Sequence, residues 1–480
     1  MFSDVLKKIN AQEIYKRHID IFHAVTYDNI EGLVAAFVRN QPFDVRDKNG
    51  NTVLHLAAKL NRQLLCRAIC VYASHLDLWN ARNNEGKQPI ELAEDPSIKR
   101  DLQSLSLVRS TVDSHHMEYN KQLIEKKIAE NKENNQNQKV ILSLDGGGLR
   151  VVLQCSILMA IEREIGEPLR NRVHWIAGTS CGGIMASSMS VGIETCLQEV
   201  MGSKTPMSQC TAHKLVVTTA KITLAPPQLI LFRSYAPRID SKQFEQLGYF
   251  DPRKILLWKA IRCTSAAPVY FQSFNGMADG AIFCNNPCIM VMTEFQKLKK
   301  IENYRNKKNT DEIGCVLSVG TGIEPSAPIN GIDINLAPGI TAITGNWKEV
   351  YANAKNLITV FLYQCTSSHN VHVGQSREWA HSMQVPFFRF SPHLAAPFEL
   401  DNCKIEDITN AMFDNEVYIR TQINHQISDL CRLLKSMPRN TGECQYRKIT
   451  GYSGSVKKVE SPGSGVGGAG SQNMQTAVSK

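Results

Sequence analysis

Ser180 stands in Gly178-Thr179-Ser180-Cys181-Gly182, a G-x-S-x-G pattern, and is the chain's best candidate for a nucleophile. The apolar run Val173–Ala177 before it reads as a buried strand, and the small-residue run from Gly182 reads as a helix. A serine on such a sharp strand-to-helix turn has its hydroxyl exposed for attack on an acyl carbon. The turn strains the backbone, so residues without a Cβ are needed where strand and helix approach. A plain strand end followed by a glycine-rich helix start uses the same residues, so the motif needs companions.

Two candidates accompany it. Val140–Leu144 reads as another buried strand, followed by Asp145-Gly146-Gly147-Gly148-Leu149-Arg150 and an amphipathic helix carrying Val152, Leu153, Ile157, Leu158 and Ile161. Strand, glycine loop and helix is also the layout of a phosphate cradle. Val151, however, stands where G-x-G-x-x-G would close, and no Lys-Ser/Thr pair makes a P-loop. The loop suits an oxyanion better, with successive backbone N–H groups aimed at one point and the positive end of a helix behind them. Downstream, Asp279-Gly280-Ala281 offers a carboxylate, although an aspartate before glycine is also an ordinary turn residue.

The elements that would position these residues alternate. Leu215–Ile222 and Leu229–Phe232 read as strands and Pro252–Arg262 as a helix. Asn285-Asn286-Pro287 opens a further helix, and Cys315–Val319 is a strand ending in a glycine turn. Strands alternating with helices argue for an α/β sheet. Upstream the pattern differs: Asn49-Gly50-Asn51-Thr52-Val53-Leu54-His55-Leu56-Ala57-Ala58 repeats loosely in Glu85-Gly86-Lys87-Gln88-Pro89-Ile90-Glu91-Leu92-Ala93. The G-x-T-x-L-H-x-A-A start, followed by a second helix at Gln63–Tyr72, resembles ankyrin repeats. That resemblance implies a short all-α stack over residues 20–106, with about three repeats of which the first and last are atypical. In it, His55 braces a turn and the stack binds a protein partner. Residues 107–138 read as a polar linker, with a short solvated helix at Lys121–Glu130 and an Asn/Lys/Glu/Gln run that cannot bury a core. A catalytic core over 139–325 and a helical extension over 326–437 follow, and the Gly/Ser-rich 453–480 is a disordered tail by composition.

In this order the three motifs, with Thr264-Ser265-Ala266-Ala267-Pro268 and Asn285-Asn286-Pro287, resemble the patatin family of lipid acyl hydrolases. With the repeats in front and Asn415-Glu416-Val417-Tyr418-Ile419 behind, the chain is most similar to the ankyrin-bearing calcium-independent phospholipases A2. The resemblance covers roughly residues 20–105 and 139–435. It implies a three-layer α/β/α hydrolase domain that cleaves fatty acyl esters of glycerophospholipids. Ser180 would form the acyl-enzyme and Asp279 would orient and deprotonate it. Gly146, Gly147 and Gly148 would hold the oxyanion with Arg150 beside the loop, and Gly178 and Gly182 would flank the elbow. No metal and no cofactor are implied, in line with a sequence that spells no acidic calcium loop. Two departures stand out: Val151 where the loop would continue in glycine, and a shortened segment at about 190–214, which normally supplies helical cover. A catalytically impaired scaffold, a lysophospholipase and an acyl thioesterase are therefore alternatives. A Ser-His-Asp hydrolase also stays open, since His369, His372, His381, His393 and His425 follow the acid. Asp145 in place of an HGGG-type histidine disfavours it.

Composition sets the expected environment. The 14 cysteines form no C-x-x-C pair, so reduced thiols in a cytosolic setting are the simplest reading. The charged N-terminus lacks the apolar core of a signal peptide, and no apolar run approaches a spanning helix. Net charge is +9, densest at Lys297, Lys299, Lys300, Arg305, Lys307 and Lys308. Only Phe295 and Tyr304 lie among them, too few for nucleic-acid stacking, so a solvated surface or attraction to acidic lipid is expected. Peripheral membrane contact is expected through Thr223–Phe232 or the stripe Trp347, Tyr351, Ala354, Ile358, Phe361 and Leu362, the latter also suiting the core or a homo-oligomer face. Ile423, Ile427, Leu430, Leu433 and Leu434 occupy the place of the family's calmodulin-binding region, though basic residues are sparse there.

Overall fold

The computed structural model describes residues 20–106, 115–133, 137–191, 203–305, 308–325, 347–369 and 371–440. Seven strands make one mixed sheet: β1 (Gln138–Leu144), β2 (Trp175–Gly178), β3 (Lys214–Lys221), β4 (Gln228–Arg233), β5 (Met277–Asp279), β6 (Glu312–Val319) and β7 (Phe387–Phe390). Their order is β4-β3-β2-β1-β6-β7, with β5 pairing β3 off this path. β4 and β5 run antiparallel to β3, and the remaining pairs are parallel. Leu144 of β1 pairs with Gly178 of β2 and Val319 of β6, so three strand ends finish side by side. Ligand sites in such sheets lie beyond the carboxyl ends of the strands.

A parallel sheet needs cover on both faces, because successive side chains point to opposite sides. Val140, Leu142 and Leu144 enter one apolar cluster, while Ile141 enters another with Trp175, Ala177, Val216, Val316 and Phe387. The N-terminal helices are α1 (Ile21–Thr26), α2 (Ile30–Val38), α3 (Val53–Lys59), α4 (Gln63–Tyr72), α5 (Pro89–Leu92) and α6 (Pro96–Ser104). Then come α7 (His115–Glu133), α8 (Val151–Ile165), α9 (Cys181–Val191), α10 (Ser241–Gln246), α11 (Leu257–Thr264) and α12 (Cys288–Tyr304). The last are α13 (Trp347–Thr366), α14 (Val371–Ser382), α15 (Ile405–Thr421) and α16 (Asn424–Ser436). α8, α11 and α16 cover the first face through Ile157, Ile261 and Leu430; α12 and α14 cover the second through Val291, Phe295 and Ala380.

α1–α6 build a core of their own and dock on α15, which contributes Phe413 to it. Arg67 bridges the two, pairing with Asp101 at 2.7 Å and donating to Asn410 Oδ1 at 2.8 Å. His55 is fully buried: its Nδ1 accepts from the Thr52 N–H at 3.2 Å and its Nε2 donates to the Lys87 carbonyl at 3.0 Å. One turn is thereby tied to the next.

Three expectations meet a different structure. The polar stretch before β1 carries α7, 19 residues long. Leu123 and Ile124 on it are buried, Ile128 packs against the main core, and Asn131 Nδ2 donates to Ser436 Oγ at 3.0 Å. Apolar residues at helical spacing hide in a sequence whose composition is polar. The expected helical extension contains β7, whose Phe387 and Phe388 enter opposite faces of the sheet. The helix expected from Pro252 starts at Leu257, because Ile255 first accepts from the Met207 N–H and Leu256 bridges to Pro206. The tail at 453–480 and residues 192–202 of the shortened segment lie outside the described residues. Among the described residues, no helix is long and apolar enough to cross a membrane.

Candidate active site

The carboxyl end of β2 and the start of α9 carry Ser180 between them. Its φ is 55°, a left-handed conformation that a non-glycine residue adopts only under constraint. The constraint is visible: the Ser180 N–H donates to Thr264 Oγ1 at 2.9 Å, and both flanks are too tight for a side chain. A Cβ on Gly178 would lie 2.2 Å from the Gly182 carbonyl oxygen, and one on Gly182 would lie 2.4 Å from that of Leu144. Gly178→Ala is therefore expected to destabilise the protein by about 1–3 kcal/mol, the usual cost of overpacking. Gly374→Ala, on α14 with open space around it, should leave the thermal midpoint unchanged or slightly raised.

β5 delivers Asp279. Pairing with Thr219 of β3 and a bond from its N–H to the Ala266 carbonyl (3.0 Å) fix its backbone. Oδ1 accepts from the Ala281 N–H at 2.9 Å, and the Ser180 hydroxyl is near enough to the carboxyl to lower its pKa. Only 1% of the residue is exposed. Burial pushes its pKa up to about 7, against the Ser180 hydroxyl and the Ala281 N–H, which pull it down. Among the described residues no histidine bonds to either Ser180 or Asp279: His369, His393 and His425 are exposed, and His381 packs edge-on against Tyr119.

The glycine loop lies against this pair. A Cβ on Gly146 would come within 3.0 Å of the Ser180 Cβ, and one on Gly147 within 2.2 Å of Thr321 Oγ1. Gly148 has φ +56° and a would-be Cβ 2.3 Å from the Leu400 carbonyl oxygen. The four residues expected at the oxyanion differ in what they have to offer. The Gly146 N–H donates to the Asn285 carbonyl at 3.2 Å. Arg150 is buried and ion-paired with Glu324 at 2.8 Å, while its Nε donates to the Gly147 carbonyl (3.3 Å) and its Nη2 to that of Thr366 (3.1 Å). Arg150 thus braces the loop from behind, and its charge is matched by Glu324. Burial pushes the neighbouring Cys181 thiol up to about 12. Val151, the departure in the loop, opens α8 with its side chain half-buried.

Beneath the loop, Asp145 is fully buried and holds Arg389 by two contacts, 2.6 and 3.1 Å, with Asn286 Nδ2 donating to its Oδ1 at 2.7 Å. Burial raises the Asp145 pKa, and the Arg389 guanidinium opposes the rise. Arg389 also donates to Ser318 Oγ at 2.9 Å. Sequence reading missed Arg389, Thr321 and Glu324 as supports of the site. Of the supporting residues, only Thr264 and Asn285-Asn286-Pro287 stood in motifs that could have pointed to them.

The surroundings of the site are apolar. Val269 and Phe271, on the loop that leads to Asp279, are 73% and 62% exposed. Leu357, Ile358 and Phe361 of α13 are exposed too, and α13 ends at Thr366, the Arg150 partner. Trp347, Tyr351 and Ala354 of the expected stripe lie outside the described side chains. On the hairpin that joins β3 to β4, Ile222 and Leu224 are exposed. Ile423, Ile427, Leu430, Leu433 and Leu434 are buried in the main core.

No protein-family model matches the chain. It is 27% identical over 326 residues to an intracellular phospholipase A2 of Caenorhabditis elegans, covering 62% of this chain and 29% of that protein. It is 27% identical over 319 residues to the 85/88 kDa calcium-independent phospholipase A2 of Rattus norvegicus, covering 58% of this chain and 38% of that one. A patatin-like phospholipase 1 of Plasmodium falciparum is 23% identical over 363 residues, 60% of this chain and 49% of its own length. The chain thus spans less than half the length of each. Relatives in three such distant organisms, each named a phospholipase, share a long aligned region with this chain, whose mixed sheet carries a glycine loop, an elbow serine and a buried aspartate at its strand ends; the chain is similar to calcium-independent and patatin-like phospholipases.

Proposed function

We propose that this chain is a serine lipid hydrolase that cleaves fatty acyl esters of glycerophospholipids without calcium. One observation carries the reading: the hydroxyl of a backbone-strained serine lies beside a fully buried carboxyl whose pKa burial raises to about 7. A carboxylate tuned to that range is a competent base at neutral pH. Asp279 takes the Ser180 proton as Oγ attacks the ester carbonyl, and the N–H groups of Gly147 and Gly148 receive the oxyanion. Collapse of the tetrahedral intermediate expels the lysolipid alkoxide, which takes the proton from Asp279. Water, deprotonated by the same carboxylate, then releases the fatty acid and regenerates Ser180. One lost oxyanion donor costs about 3–4 kcal/mol, so the bracing of Gly147 by Arg150 matters to rate.

The exposed Val269, Phe271, Leu357, Ile358 and Phe361 support docking of this face on a lipid surface, with the site turned towards it. The lysine cluster does not share that face. α12 starts beside Asn286 at the site and runs back towards Glu312, the start of β6, so Lys299 and Lys308 lie at the other end of the sheet. The calmodulin reading loses its support, since the apolar face of α16 is in the core. The His55 brace and paired helices support reading α1–α6 as ankyrin repeats that bind a protein partner.

A fluorophosphonate probe is expected to label the wild-type chain and not Ser180→Ala. Wild type alone should release fatty acid from phosphatidylcholine vesicles with a calcium chelator present. Absence of labelling in folded wild type would leave a silent scaffold as the better reading, and activity only after calcium addition would refute the metal-free mechanism.

A further inference from the structure

His116 on α7 and Glu378 and His381 on α14 place their ligand atoms within 4.8 Å of one another. The two helices belong to distant parts of the chain, one before β1 and one before β7, so local sequence preference does not explain the cluster. Glu378 and His381 stand three residues apart, a spacing that puts both on one face of a helix. His116 Nδ1 approaches Glu378 Oε1 to 3.8 Å from the other helix. His381 is only 6% exposed, and its Nε2 is buried without a hydrogen-bond partner. A buried imidazole nitrogen left unpaired is costly, and a metal ion would remove that cost.

We infer that His116, Glu378 and His381 form a site for a divalent transition-metal ion, best suited to Zn²⁺, that clips α7 to α14. Two imidazoles and one carboxylate are a borderline donor set that zinc accepts, whereas calcium and magnesium prefer oxygen ligands alone. Tetrahedral zinc with bonds of about 2.0–2.1 Å puts ligand atoms roughly 3.3 Å apart, so the present cluster must contract by up to about 1.5 Å. His116 and Glu378 are exposed and can turn to meet the buried, fixed His381. Glu378 Oε1 accepts from Arg377 Nε at 3.0 Å, a surface bond that this contraction gives up or leaves to the second oxygen. The Tyr119 ring packs edge-on against His381 at 5.1 Å and its hydroxyl accepts from Gln384 Nε2 at 2.7 Å, which holds the imidazole in place. α14 packs its opposite face on the sheet through Ala380, so the site is separate from Ser180.

The test uses the full chain, stripped of metal and then dialysed against Zn²⁺, with affinity read by competition against a metallochromic chelator. Wild type should retain one zinc ion per chain and melt at a higher temperature with zinc than without. His116→Ala and Glu378→Gln, both at exposed positions, should each weaken zinc binding by roughly 10- to 100-fold and abolish the thermal rise. His381→Ala should lose the site, provided its circular dichroism matches wild type. Because the chain has 14 cysteines, Co²⁺ replaces zinc in a parallel sample. Visible bands without an intense thiolate-to-cobalt band are expected from nitrogen and oxygen ligands. A strong thiolate band, zinc affinity unmoved by both exposed-site substitutions, an equal thermal rise with Ca²⁺, or no zinc retained would each overturn the assignment.

Discussion

In an Asp279→Asn variant, turnover is expected to fall by roughly 10³-fold while the protein becomes harder to melt at pH 8. The two effects share one cause. Asparagine keeps the shape of the site: its Oδ1 can still accept from the Ala281 N–H, and its Nδ2 can donate to Ser180 Oγ. It cannot take a proton from Ser180, so the step that makes the nucleophile is lost. In wild type the base must be ionised, and kcat/KM should rise with pH through about 7 and then level off. The variant should be slow and flat across the same range. Near-normal turnover in Asp279→Asn, with loss in one of the five histidine→Ala changes, would replace the dyad by a triad.

The stability effect follows from linkage. The folded-state pKa of Asp279 is about 7, above the ordinary value near 3.8, so the folded chain binds this proton more tightly than the unfolded one. That contribution is fully present below pH ~4, declines as pH rises towards 7 and is gone above it. Three pK units correspond to something on the order of 4 kcal/mol. The neutral amide of the variant carries no such dependence. Variant and wild type should therefore melt alike near pH 4 and diverge in the variant's favour as pH rises, as expected where a catalytic group is held at the expense of stability.

The parts of the site that could be read in the sequence are those where a local constraint selects a residue type. A Cβ on Gly178 or Gly182 would lie 2.2 or 2.4 Å from a backbone carbonyl oxygen, so only glycine fits there. Such constraints act over a few residues, so they leave a short pattern. Val140–Leu144 was legible for a related reason, since burial on both faces demands an unbroken apolar run. Arg389 left no pattern: it reaches Asp145 from 244 residues away, on a strand of four residues that composition does not separate from its helical surroundings. The engagement of Gly146 and Arg150 was equally hidden, because their partners Asn285 and Glu324 are brought in by tertiary packing. α7 shows the same limit from the other side, a polar sequence whose few apolar residues matter only once α16 is beside it.

Arg389→Ala is expected to cost about 3–5 kcal/mol of stability, the usual result of removing one partner from a buried ion pair. Asp145 has no exposed surface, and its other named side-chain partner, Asn286, is neutral. Without the guanidinium, burial favours the protonated acid, so the deficit should narrow as pH falls towards 4. The same loss should reach the chemistry. Asp145 sits directly before Gly146, and its main-chain carbonyl accepts from Gln154 Nε2 at 3.0 Å while its N–H bonds Val319, so a disturbed Asp145 loosens the loop beside Ser180. A second substitution separates charge from packing: Asp145→Asn added to Arg389→Ala removes the orphaned charge and leaves an amide oxygen for Asn286 to donate to. The double variant should recover much of the lost thermal midpoint. If it melts no higher than Arg389→Ala, the pair acts through the volume of Arg389 and its bond to Ser318, and the uncompensated charge is not the cause.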